Sequence, residues 1–153
     1  MAITAPRHKL IEQQRLQLGI GIAEFAHQIG ASVSEYRDVE SYDNEPTIVL
    51  PLKKGRSLAE ILGFEIGSLL GAGSLPREAP VSSKPRHVTL VETRRSLGVS
   101  TKKMADDLGF DEGFVHTIEN DRQALETYPY EVLRIVASYL KLDPKDLLYS
   151  PSP

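Results

Sequence analysis

Apolar residues recur at three- and four-residue steps along most of this chain, and strict alternation is nowhere sustained for long. That spacing predicts amphipathic helices rather than strands. Leu10, Ile11, Gln14 and Leu18 set out a first helix with one inward side, and Leu90, Val91, Arg94 and Leu97 set out a counterpart, each followed by a glycine that can end it. Ile22, Phe25, Ala26 and Ile29, and again Thr101, Met104, Ala105 and Leu108, predict second helices stopped by Gly30 and Gly109, with Gly21 and Ser100 placed to cap them. Third helices are expected over Val33–Glu40 and Glu112–Glu119, with Tyr36 and Val39, or Val115 and Ile118, inward. Ser32-Val33-Ser34-Glu35 has capping-box spacing, and Asp111 stands where it can cap the second copy. A fourth helix is expected over Ser57–Leu62 and Tyr130–Leu140. In the last element Pro144 follows Asp143 at a first helical position, before Leu147 and Leu148.

The pattern occurs twice because the sequence does. An offset of 79 places Pro6-Arg7-His8 on Pro85-Arg86-His87, Arg15 on Arg94, Leu18-Gly19 on Leu97-Gly98, Gly30 on Gly109 and Glu40 on Glu119. Beyond the glutamates the register becomes 78, pairing Ala59 with Ala137 and Leu69-Leu70 with Leu147-Leu148, so the first copy carries one extra connecting residue. One supersecondary unit has been used twice. The stretch GAGSLPREAPVSSKP from Gly71 to Pro85 has a linker's composition, with the boundary near residue 78. The expected organisation is a domain over residues 1–72, a linker over 73–85 and a second domain over 86–150, each domain with five short helices.

Composition narrows the setting. With 41% hydrophobic and 25% charged residues in 153, the chain is ordinary globular material, long enough for two very small domains. There is no cysteine, which excludes disulfides and thiolate metal sites and suits a reducing compartment. No apolar run approaches the length of a membrane span, and Arg7, His8 and Lys9 interrupt the place where a secretory signal would need its apolar core. A cytoplasmic protein with no membrane association is expected. Its four histidines, His8, His27, His87 and His116, have no metal-ligand spacing, no nucleophile motif is present, and Gly71-Ala72-Gly73 follows no strand. Neither catalysis, cofactor nor metal is expected.

The stretch Arg94…Leu97-Gly98-Val99-Ser100…Met104-Ala105…Leu108-Gly109-Phe110…Val115…Ile118-Glu119-Asn120 resembles the Cro and lambda-repressor type of helix-turn-helix domain, also called the Xre family. The first unit is similar through Arg15, Leu18-Gly19-Ile20, Phe25-Ala26, Ile29-Gly30, Val39 and Glu40. The resemblance implies an all-α chain of two tandem five-helix lambda-repressor-like domains, in which the start of each third helix reads the major groove of double-stranded DNA. It implies reading positions at Ser34 and Arg37 in the first unit and at Asp111, Glu112, Phe114, His116 and Thr117 in the second.

The reading positions depart from the family. Ile22 and Thr101 stand where DNA-binding members usually carry a polar residue, often Gln, and Ile22 cannot bond a phosphate. Glu35, Asp111 and Glu112 lie in first helical turns, where capping and the helix dipole favour acids but a phosphate does not. The net charge of −3 offers no general attraction to a polyanion. Basic anchors that could flank a DNA backbone are Arg7, Arg86, Arg94, Arg95, Lys102, Lys103 and the Lys53-Lys54-Gly55-Arg56 run, although scattered cations ordinarily form the solvated faces of helices. Arg15 and Arg94 are expected instead to pair with Glu40 and Glu119, since each pair recurs at one offset. Tyr42, Tyr128, Tyr130 and Tyr149 could stack on bases or cover a core edge.

Two functions remain open at this level. One is a DNA-binding transcriptional regulator whose two units serve as the halves of a dimer, since an extended linker reaches about 50 Å, beyond the 34–36 Å between half-sites. The other is an antitoxin or immunity protein that uses the same scaffold, with acidic third helices, to bind a basic protein partner. A homodimer is compatible with either.

Overall fold

The computed structural model describes residues 6–71 and 84–149, and these form eleven α-helices and one 3-10 turn, with no β-strand among them. The chain divides into two compact units, Met1–Ser74 and Leu75–Pro153. Apart from Lys84 and Pro85, the expected linker lies outside the described residues. No helix among the described residues is long and apolar enough to cross a membrane.

The first unit runs α1 (Arg7–Gln17), α2 (Ile22–Gln28), α3 (Val33–Ser41), α4 (Glu45–Ile48), α5 (Leu52–Leu62) and α6 (Ile66–Leu70). Ile11, Phe25, Ala26, Ile29, Tyr36, Val39, Leu50, Leu58, Ala59, Leu62 and Leu69 close into one buried cluster. At its centre the Phe25 and Tyr36 rings meet edge to face, with centroids 4.9 Å apart, an arrangement that adds to the burial of both rings. The second unit runs α7 (Arg86–Ser96), α8 (Thr101–Leu108), α9 (Glu112–Asn120), the 3-10 turn Ala124–Thr127, α10 (Tyr130–Tyr139) and α11 (Pro144–Leu148). Leu90, Met104, Val115, Ile118, Leu133 and Val136 are its buried counterparts.

Local chemistry sets the helix ends. The Ser32 hydroxyl accepts from the Glu35 amide at 3.0 Å, the Ser100 hydroxyl from the Lys103 amide at 3.0 Å, and the Asp143 carboxylate from the Lys145 amide at 3.0 Å. Each satisfies an amide that the first turn leaves without a helical partner. Asp111 precedes α9 but makes no such side-chain bond. Between α2 and α3, and between α8 and α9, the chain reverses through Gly30 and Gly109, both at φ +75°. This left-handed conformation costs a residue with a Cβ roughly 1–2 kcal/mol, which is why a helix pair can be joined there by only three or four residues.

Three expectations are corrected. The first unit has six helices rather than five, because Asn44-Glu45-Pro46-Thr47-Ile48 makes a one-turn helix too short to show a period. Helix α5 begins at Leu52, not Ser57, directly after Pro51. Leu18 and Leu97, taken as inward, are exposed, and the inward positions one turn earlier belong to Arg15 and Arg94.

Candidate nucleic-acid interface

Charge buried between α1 and α3 fixes the face that each helix pair presents. Arg15 Nε donates to Glu40 Oε2 at 2.5 Å, Nη2 to Glu40 Oε1 at 3.0 Å and Nη1 to the Ile20 carbonyl at 2.8 Å. Arg94 does the same with Glu119 and the Val99 carbonyl, at 2.5, 3.0 and 2.8 Å. All four side chains are buried. Hydrogen bonding to the carboxylate raises both guanidinium pKa values above their usual range. A bidentate pair of this geometry fixes orientation as well as distance, so the outward side of α3 or α9 is set by its inward glutamate. In the first unit Tyr36 adds a hydroxyl donated to Glu40 Oε2. Burial, then that bond, pushes its phenol pKa well up. The second unit has Val115 at that place and buries it without a polar partner.

The repeated Arg-His pairs at the helix entries belong to the fold. Arg86, expected on a DNA-facing surface, is only 7% exposed. Its Nη1 donates to Glu126 Oε2 at 2.9 Å and the Leu147 carbonyl at 3.2 Å, and its Nη2 to the Arg122 carbonyl at 2.9 Å. Arg7 is half-buried and donates to the Asp43 carbonyl at 2.9 Å, as Arg86 does to that of Arg122, so the 79-residue register still holds at this position. Asp43 also accepts from the His8 amide at 3.2 Å and lies 3.3 Å from His8 Nδ1. Burial pushes the Asp43 carboxyl up, but the bonds from His8 together with the nearby Arg7 outweigh it and leave it below the usual range. In the second unit Arg122 replaces Asp43, and His87 Nδ1 is buried without a partner.

The remaining candidates divide between the units. In the first, Ser34 and Arg37 are exposed on α3, while Glu35 is tied to Lys54 of α5 at 3.0 Å. In the second, the starts of α8 and α9 are brought together: Thr101 Oγ1 donates to Glu112 Oε2 at 2.7 Å, and His116 Nε2 lies 3.4 Å from the same oxygen. The Thr101 bond, with weaker contributions from His116 and Lys102, holds the Glu112 carboxyl below its usual range. Lys102 and Lys103, 73% and 62% exposed, reach Asp106 at 3.1 Å and Asp107 at 3.2 Å within α8. Such exposed pairs contribute little and exchange readily for another anion. Asp111, Thr117 and, on α7, Arg95 are exposed.

Phe114, expected to point outward, is instead half-buried, 4.5 Å from Phe110 and 5.1 Å from Tyr128 between ring centroids. Asn120, not singled out from the sequence, is exposed with its amide donating to the His116 carbonyl at 2.7 Å. Its spacing of four from His116 and seven from Gly113 was the available signal. Of the four tyrosines, Tyr130 is buried and Tyr128 half-buried, and Tyr42 is exposed. Among the described residues no group of three or more His, Cys, Asp or Glu is placed to hold a metal ion. Comparison of the chain with protein-family models, with curated proteins and with solved structures found no match.

Proposed function

We propose that this protein is a DNA-binding transcriptional regulator of the cytoplasm, built from two lambda-repressor-like helix-turn-helix units of the Xre kind, and not an enzyme. The observation that carries the reading is the helix pair α8–α9. Two short helices are joined by a three-residue turn at Gly109, and the second is locked from behind by Arg94–Glu119 and turns Gly113, His116, Thr117 and Asn120 to solvent. A helix-turn-helix presents its second helix to the major groove in this manner. Asn can read adenine, and Thr either a base edge or a thymine methyl. Lys102 and Lys103 flank that face, tied only to exposed aspartates that a phosphate can displace.

One observation favours a second reading. Asp111 and Glu112 are exposed at the start of α9, where they would meet a basic protein more favourably than a phosphate, as in an antitoxin or immunity protein. A binding titration separates the two. The whole protein is titrated with duplex DNA from upstream of its own gene, and with random-sequence duplex of equal length, at two salt concentrations. Preferential binding of the upstream duplex that weakens steeply with salt is expected, because phosphate contacts release counterions. No binding at low salt overturns the DNA reading in favour of a basic partner.

A further inference from the structure

We infer that the two units are unequal and that only the second engages DNA, through the exposed faces of α8 and α9, so that one chain carries one reading unit. The inference rests on the proposed DNA-binding function and names the part of the chain that performs it.

The repeat supplies an internal comparison, since the Arg–Glu lock gives α3 and α9 the same orientation within their units. Lys102 and Lys103 correspond to Ala23 and Glu24, so a pair of exposed cations is replaced by an apolar residue and an exposed carboxylate. Thr101 and Glu112, joined by a hydrogen bond, correspond to Ile22 and Val33, and Val33 is 37% exposed. A polar link at the start of the pair has become two aliphatic side chains, which offer a phosphate nothing.

Acid also gathers beside α3 in the first unit. Burial first, and then the nearby Asp38 and Glu35 carboxylates, push the Glu45 carboxyl above its usual range. Asp38 and Glu35 therefore lie within electrostatic reach of Glu45. Glu35 engages Lys54, so the nearest α5 lysine is already occupied. On α2 and α3 themselves Arg37 is the one lysine or arginine. A phosphate approaching α2–α3 finds no lysine on either helix and meets an aliphatic pair, whereas one approaching α8–α9 meets, beside the Asp111 and Glu112 carboxylates, two lysines with exchangeable partners. An operator with two half-sites then takes two chains rather than the two units of one.

The test compares the salt dependence of DNA binding for the full-length wild type, Lys102→Gln/Lys103→Gln and Arg37→Gln, using the upstream duplex. Every replaced side chain is exposed, and helix content by circular dichroism checks that each variant folds. The slope of log affinity against log salt should fall by about two in the lysine double variant, one for each lost phosphate contact, and stay at the wild-type value in Arg37→Gln. An equal or larger fall in Arg37→Gln, or no fall in the lysine variant, overturns the inference while leaving DNA binding itself standing. Absence of binding by the wild type overturns both.

Discussion

Arg94 and Glu119 meet in a buried bidentate contact, Nε to Oε2 at 2.5 Å and Nη2 to Oε1 at 3.0 Å, and Arg15 and Glu40 repeat it at the same distances. Removing one member strands a buried charge, which typically costs about 3–5 kcal/mol, whereas replacing both by apolar residues of similar volume is far milder. Glu119→Ala should therefore destabilise the second unit by that amount, and Arg94→Met with Glu119→Leu by much less. Denaturant unfolding of the single and double variants measures both. Equal losses would show that the pair does not act as a unit.

Tyr36 distinguishes the two locks. Its hydroxyl donates to Glu40 inside the first unit, while Val115 stands at the matching place in the second. A hydrogen bond to a charged acceptor contributes about 1.5–3 kcal/mol. Tyr36→Phe should lower the unfolding free energy of the first unit by roughly that much and leave the second unit's unchanged, as followed by amide hydrogen exchange in each unit. A loss shared equally between the units would contradict the assignment.

Tyr139 and Asp107 tie α10 to α8 and give the second unit a pH signature. The Tyr139 hydroxyl donates to Asp107 Oδ2 at 2.6 Å, which pushes its pKa from 10.0 up to about 12 and, with Lys103, holds the Asp107 carboxyl below its usual range. A phenol raised in the folded state stabilises fully below its unfolded pKa and loses that contribution as pH rises through about 12. A carboxyl lowered in the folded state stabilises above its unfolded pKa and loses that contribution as pH falls through the folded value. Wild type and Tyr139→Phe should therefore differ most in thermal midpoint near neutral pH and converge in both acid and strong alkali. A difference independent of pH would remove the bond as its cause.

The repeat, most helices and both Arg–Glu pairs were legible because each rests on local period or on two residues recurring at one offset. The fate of Arg86 was not. Its partners are Arg122, Glu126 and Leu147, brought to it by three later parts of the unit, and nothing near Arg86 in sequence distinguishes a buried cation from a DNA contact. Phe114 falls among the third-helix reading positions that the Xre resemblance implies, but its ring turns onto Phe110 and Tyr128, a contact that depends on the packing of the turn before α10. Helix α4 was not legible because four residues cannot display a helical repeat. On the candidate face, the departures from the Xre pattern were visible at once. The pairing of Lys102 with Asp106 and of Lys103 with Asp107 needed only i,i+4 spacing on one helix.

The most direct measurement is NMR mapping of the full-length protein as the upstream duplex is added at low salt. The account predicts that amide and side-chain shifts concentrate at Lys102, Lys103, Gly113, His116, Thr117 and Asn120, with the matching positions of α2 and α3 little changed. Shifts confined to the first unit, or no shifts at saturating DNA, would contradict it.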